Sequence, residues 1–422
     1  MPQRFYRIWT ASTVSALGDG IYFAAFPLLA LTYTHDPVML GVLEACALLP
    51  WLFFGMIGGA LVDRWDRRRT MVTTDLLRFS LLALVTVLVL TDHANIYLLF
   101  AAAFLLGTGQ VFFDTAGVAY LPEVLDDRDL ETLQHANARL QGAQQALGGF
   151  VGPPTGSLLF TLSRSVPLLA DALSFLVSSL TIWTLPKSPA KPDTPRGSLL
   201  REAREGAAYL FGNRVLVGLA LRPAIGNFAF MACNGVMVLF LRQTLHLGTT
   251  GYGVYLTANA LGAIIGAAVS PKVAARVGTG TALTLTAFVE AAALLGIGVA
   301  PSAWVAGTGE LVLGMAMGVT MGLGPAVRQA IVPDELMGRV TATARLIALG
   351  AGPVGAVFGG WLANVAGLRA PFVVAAGMLA STSIVVGSLT NNKRIDAALA
   401  EAKARRAEQP ATDPTEPAIA AV

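Results

Sequence analysis

The sequence predicts an all-α membrane protein with twelve transmembrane helices in two parallel repeats of six. Three observations carry that prediction. First, 55% of the 422 residues are apolar and only 13% are charged, about half the charged fraction of a soluble domain. That is too few polar side chains to cover a soluble surface. Second, apolar runs long enough to cross a bilayer, about 20 residues each, recur along the whole chain. Third, the basic residues are sorted between alternate connections, which a soluble helical core has no reason to do.

Hydropathy, with charge, glycine and proline as punctuation, places the spans at 8–34, 38–62, 71–91, 95–119, 132–162, 166–186, 214–244, 250–272, 280–300, 303–331, 338–365 and 369–390. The opening MPQRFYRIW sets two arginines before a run too long for a signal-peptide core, so the first span is read as retained. With both termini in the cytosol, all but four of the 29 basic residues fall at or near cytosolic ends; the exceptions are Arg164, Arg242, Arg369 and Arg222. Arg222 alone lies away from both interfaces. The expected location is a bacterial plasma membrane, and 24 arginines against five lysines fit a GC-rich genome.

Residues 187–212 interrupt the pattern. Their first part is Pro-rich and basic; the second, capped by Ser198, has the charge and apolar mixture of a short interfacial helix. The expected organisation is therefore a six-helix bundle over 1–186, a cytoplasmic linker over 187–212, a second bundle over 213–390 and a tail over 391–422. The tail starts as a polar, solvated helix and passes into disorder. An internal repeat supports the division. LLGTGQVFFDTAGVAYLPEVL in span four and AMGVTMGLGPAVRQAIVPDEL in span ten both put a Pro 15 residues after a Gly, Gly107 to Pro122 and Gly318 to Pro333. Gly152-Pro153 and Gly352-Pro353 then follow in spans five and eleven.

The sharpest motif is GGALVDRWDRRR at 58–69, between spans two and three. It resembles the loop signature of the major facilitator superfamily. The matching positions are Gly59, Asp63, Arg64, Arg67 and Arg68, with Asp66 where that family has a second Gly. Gly59 permits close helix approach, Asp63 can face the positive end of a helix dipole from the other half, and the arginines sit at the headgroups. In the family this loop latches the outward-facing state, so the resemblance implies a cytoplasmic gate. Asp114, in the cytosolic part of span four, is read as a gate partner for Arg67 or Arg68. Between spans eight and nine, SPKVAARVG is only a degenerate copy.

A second motif, Gly148, Gly152, Pro153 and Gly156 in span five, resembles the antiporter signature of the same superfamily. The signature's upstream Gly is Arg139 here and its final Gly is Ser157. The three glycines share one face, which lets a neighbouring helix approach, and Pro153 removes a backbone donor. SALGDGIYFAAFPLLAL, ALLPWLFFGMIGGALVDR and TTDLLRFSLLAL are similar to the macrolide-efflux and enterobactin-exporter branch, the transmembrane secretion effectors. The resemblance implies the major facilitator fold and export of a hydrophobic drug, antibiotic or secondary metabolite by alternating access, powered by proton entry.

Ionisable residues inside spans are functional candidates because each is costly in hydrocarbon. Asp19 lies mid-span with Phe23 and Phe26 on the same face, a carboxylate able to alternate between a proton and a cationic or polar ligand. Pairing with a neighbouring helix is the competing reading. Glu44 is the second proton-coupling candidate. Arg222 is read as a counter-charge to Asp19, as a contact for an anionic ligand, or as a structural ion pair. Asp75 and Arg78 read as a local pair three residues apart. Asp171 lies near an outer helix end and Glu310 in the outer third of span ten. Glu290, in a peripheral span, has no account. Gln141, Gln145, Asn227, Asn234 and Asn259 as a set fit a wet cavity near the midplane.

No nucleotide-binding loop, cofactor signature, metal-ligand spacing or catalytic triad is present in the sequence, and nothing points to nucleic acid. The expected partners are the bilayer, a small-molecule substrate and protons, and a monomer is expected. A uniporter or importer of a small metabolite, and a non-transporting membrane sensor, remain as alternatives.

Overall fold

The computed structural model describes residues 1–62, 64–125, 130–188 and 199–408. Among these, the regular elements are all helical. The first set is α1 (Gln3–Ala30), α2 (Pro37–Val62), α3 (Arg67–Leu90), α4 (Ile96–Val124), α5 (Leu130–Gln144), α6 (Gly152–Leu162) and α7 (Val166–Trp183). A short α8 (Leu199–Gly212) follows, then α9 (Arg214–Leu239), α10 (Thr249–Val277), α11 (Thr279–Gly298), α12 (Ala303–Ile331), α13 (Asp334–Ala366), α14 (Ala370–Leu389) and α15 (Asn392–Glu408).

Local chemistry explains many of the boundaries. Asp66 starts α3 by accepting from the Arg69 amide, Asn95 starts α4 by accepting from Leu98, and Asn213 starts α9 by accepting from Val215 and Leu216. Each satisfies amides that the first helical turn leaves without a partner. Eleven helices of the described residues are long and apolar enough to cross a membrane. The expected fifth span is built from two shorter pieces. Between α5 and α6 the ladder widens into a π-helical segment, Gln145–Val151, which ends where Gly152-Pro153 begins. Pro153 has no amide to donate, and a π turn is one way a helix absorbs such a break.

Helices α1 to α7 pack among themselves, mainly α1 on α7 and α6, α2 on α4, and α3 on α7 and α4. Helices α9 to α14 do the same through α10 on α12, α9 on α13 and α14, and α11 on α12 and α14. The two groups meet along α2 with α13 and along α6 with α10. Call the face where α1 begins and α7 ends, joined by Arg7 to the Thr184 carbonyl at 3.2 Å, the terminal face. Toward the opposite face the seam is tight. A Cβ on Gly41 would lie 2.4 Å from the Ala356 carbonyl oxygen, and one on Gly253 would lie 2.4 Å from that of Pro153. Toward the terminal face the seam is loose: a Cβ on Gly55, Gly59, Gly322 or Gly338 would meet nothing within 4 Å. The two groups thus close at the far face and part at the terminal face.

On the terminal face α8 lies against α13, with Gly206 on the Arg339 carbonyl and Glu205 paired to Arg339 at 2.5 Å. Helix α15 is docked rather than solvated, because Ile395, Ala398 and Ala402 are buried. Its first turn is fixed by Asn392, whose amide donates to the Val277 carbonyl and whose oxygen accepts from Gly280 and Thr281. Gly278 between them has φ of +83°, a conformation that favours glycine. Residues 409–422 lie outside the described residues.

Candidate functional site

Helix α1 is clamped by small residues. On one side a Cβ at Gly20 would sit 2.1 Å from the Gly148 carbonyl oxygen, and one at Gly152 would sit 2.6 Å from the Gly20 Cα. Gly156 meets Ile21 in the same way. On the other side Gly18 leaves room for Ser174 and Asp171 of α7. The small-residue face of Gly148, Gly152 and Gly156 therefore seats α1 beside Asp19, while Pro153 and Ser157 face Gly253 of α10 across the seam.

Asp19 accepts from Arg78 at 2.6 Å. Arg78 also reaches Asp75 at 3.5 Å and lies over the Phe175 ring, 3.7 Å from its centroid. Asp171 and Asp114 act on the same guanidinium electrostatically. Arg78, Asp75 and Asp171 are almost fully buried, whereas the Asp19 side chain keeps 36% of its exposure. Asp19 is thus more open to water or a ligand than Arg78, Asp75 and Asp171. It lines a cavity of about 240 Å³ with Tyr22, Trp51, Arg78, Gln110 and Asp171.

Several sequence readings change here. Arg222 does not counter Asp19; it pairs with Glu290 at 3.0 Å and donates to Thr286 and the Leu283 carbonyl. That contact also gives Glu290 its role. Asp19 on α1 with Arg78 on α3 and Arg222 on α9 with Glu290 on α11 join the first and third spans of each repeat, with acid and base exchanged. Asp114 is not a partner of Arg67 or Arg68, since it accepts from Gln110 at 2.9 Å. Arg67 pairs with Glu123, and Arg68 donates to the Trp183 and Leu185 carbonyls and covers the Trp183 ring. These bonds all lie within the first group of helices. Gly59 brings no helix close, Arg64 is exposed in the turn, and Asp63 lies outside the described residues.

Phe26 is a core residue stacked on Tyr22 at 4.4 Å, and Phe23 is 44% exposed. Tyr22, not these two, lines the cavity at Asp19. Gln141 and Gln145 are exposed. The three asparagines divide between two places. Asn227 and Asn259 line a second cavity, about 370 Å³, with Arg222, Phe230, Met317 and Arg328. There Asn227 donates to the Ala348 carbonyl and Asn259 to Glu310, which also accepts from Tyr255. Asn234 instead donates to Glu44 at 3.0 Å, linking α9 to α2 across the closed part of the seam.

Sequence reasoning missed Arg78 and Asp171 as members of the site. Arg78 was masked by Asp75, a sufficient local partner three residues away. Asp171 had one available signal: Ser174 lies a single turn on and does donate to it, at 3.2 Å.

A family model described as transmembrane secretion effector matches residues 2–416. The multidrug efflux pump Tap of Mycolicibacterium fortuitum is 30% identical over 413 residues, covering 92% of this chain and 96% of the pump. Macrolide efflux protein A of Streptococcus pyogenes is 22% identical, covering 93% of this chain and 97% of that one. Among solved structures, a mutant form of the nucleoside transporter NupG superposes with a TM-score of 0.77 at 12% identity, covering 92% of this chain and all of that one. A bacterial homologue of ferroportin in an inward-facing state gives 0.75 at 14% identity, covering 92% of this chain and 99% of that one. With eleven apolar spans among the described residues and a further one built from two pieces, the chain has the major facilitator fold, is a multi-pass membrane protein, and belongs to the transmembrane secretion effector family of that superfamily.

Proposed function

We propose that this protein is a secondary active efflux transporter. It exchanges a hydrophobic drug, antibiotic or secondary metabolite for protons by alternating access. The observation that carries the reading is a seam closed at one face and open at the other, with a partly exposed, ion-paired carboxylate, Asp19, inside the first group of helices. The relatives named as efflux pumps along nearly the full chain support export.

In this reading the terminal face is cytoplasmic, as the basic residues favour, and the arrangement described is open to the cytosol. The bundles 1–186 and 213–390 rock against each other, with 187–212 as the connection. Asp19 holds either the ion pair to Arg78 or a proton. When it takes a proton, Arg78 keeps Asp75 as a partner, so the buried cation is not abandoned. Glu44, bonded to Asn234, closes the outer side. The loop of Arg64, Arg67 and Arg68 closes the inner side in the opposite state.

The test is accumulation in everted vesicles, where export runs into the lumen, across a panel of antibiotics, with and without a protonophore and with ATP held constant. Asp19→Asn keeps the size but cannot release a proton, so coupled efflux is lost while the membrane level holds. Efflux that continues after the gradient collapses, or normal coupling in Asp19→Asn, overturns the proposal.

A further inference from the structure

The two groups of helices part at a definite pair of residues. Along α2 and α13 the contacts run from Gly41 on Ala356, through Leu48 on Gly352, to Leu52 on Gly350. One turn further along α2, at Gly55, and about three turns back along α13, at Gly338, a Cβ would meet nothing. At the lip, Arg345 of α13 lays its guanidinium over the Trp51 ring of α2, 5.2 Å from the centroid. Among the described residues Arg345 makes no hydrogen bond or ion pair. It is exposed. Arg78 and Arg222, by contrast, are each tied to a carboxylate.

Trp51 is also a wall of the cavity that holds Asp19 and Asp171. An aromatic face backed by carboxylates is a chemical match for a cation. The cation now on that face is a loosely held side chain from the opposite bundle. We propose that Trp51, which shares its cavity with Asp19, is a subsite for the charged group of an amphiphilic organic cation, and that Arg345 is the resident cation such a ligand displaces. The proposal rests on the efflux reading for its biological meaning, not for its chemistry. An exposed cation–π contact corresponds to only about a two- to five-fold factor in affinity. A ligand that also buries apolar groups can therefore outcompete Arg345. Displacement releases a contact between α2 and α13 at the lip, so occupancy is felt by both bundles.

The test uses the full chain in lipid nanodiscs, with no gradient, and two ions of the same shape and opposite charge. The probes are tetraphenylphosphonium and tetraphenylborate. Arg345→Gln removes the competitor, so tetraphenylphosphonium binds about two- to five-fold more tightly and tetraphenylborate no more tightly. Trp51→Ala weakens tetraphenylphosphonium binding several-fold, and adding Arg345→Gln to it brings no gain. Trp51→Phe, which keeps an aromatic face, falls between and carries the test if Trp51→Ala does not elute as a monodisperse species. Unchanged or weaker tetraphenylphosphonium binding by Arg345→Gln overturns the proposal, as does an equal gain by both ions. Because the assay needs no transport, this pattern in a protein that fails the vesicle assay would defeat the efflux reading alone.

Discussion

Replacing Gly152 by alanine tests how tightly the site is built. The new Cβ would lie 2.6 Å from the Gly20 Cα and 2.8 Å from the Gly20 carbonyl carbon. Both are backbone atoms and cannot swing aside. Ordinary contact begins near 3.4 Å, so α1 and α6 must separate by roughly 0.8 Å there. Helix α1 has little room to recoil, because Gly18 on its other side is already filled by Ser174 and Asp171. The cost therefore falls toward the upper end of the range for overpacking, about 1–3 kcal/mol. The strain arises one residue from Asp19, whose 2.6 Å bond to Arg78 does not tolerate a shift of that size. The expected outcome is a lower melting temperature in detergent and a loss of efflux greater than the loss of protein level. Gly142→Ala is the control on the same span. Its Cβ meets nothing, so it should be neutral or stabilising by up to about 1 kcal/mol. Wild-type melting and full efflux for Gly152→Ala would refute the clamp.

Other outcomes follow from the same geometry. Asn234→Ala removes the bond to Glu44 across the seam. It should shift spin-label distances between α2 and α9 at the far face toward the separated state, by roughly five- to thirty-fold in population ratio for a bond worth about 1–2 kcal/mol; an unchanged distribution would count against a closing role. Arg222→Met leaves Glu290, 7% exposed, as a buried acid without its cation. It should destabilise by about 3–5 kcal/mol, and adding Glu290→Met should recover much of that in thermal unfolding. Glu205→Gln touches a pair in which both side chains are more than a third exposed. It should change stability by less than about 1 kcal/mol, and a large loss would show that α8 depends on that contact.

Much of the architecture was legible in the chain because hydropathy over 20 residues and glycine or proline punctuation are local properties. They located the spans, and Pro153 was legible as a lost backbone donor, although the π segment before it was not. Asp19 and Glu44 were also legible as candidates, since a carboxylate inside an apolar run needs a reason. The partners were not. Arg78 lies 59 residues from Asp19 and Glu290 lies 68 from Arg222, and nothing in either stretch of sequence says which face will turn toward which. Arg78 looked satisfied by Asp75, and Arg222 was open to Asp19, to an anionic ligand or to a structural ion pair, of which the last is found, with Glu290. Asp114 looked like a gate acid until Gln110, one turn away, occupied both of its oxygens. The tail looked solvated because its apolar residues are few, yet Ile395, Ala398 and Ala402 find a floor made by other helices. Sequence alone determined which segments enter the membrane and where charge is costly. Only the tertiary structure decided which charges share that cost, because an ion pair depends on rotation and depth between helices that the chain joins through distant loops.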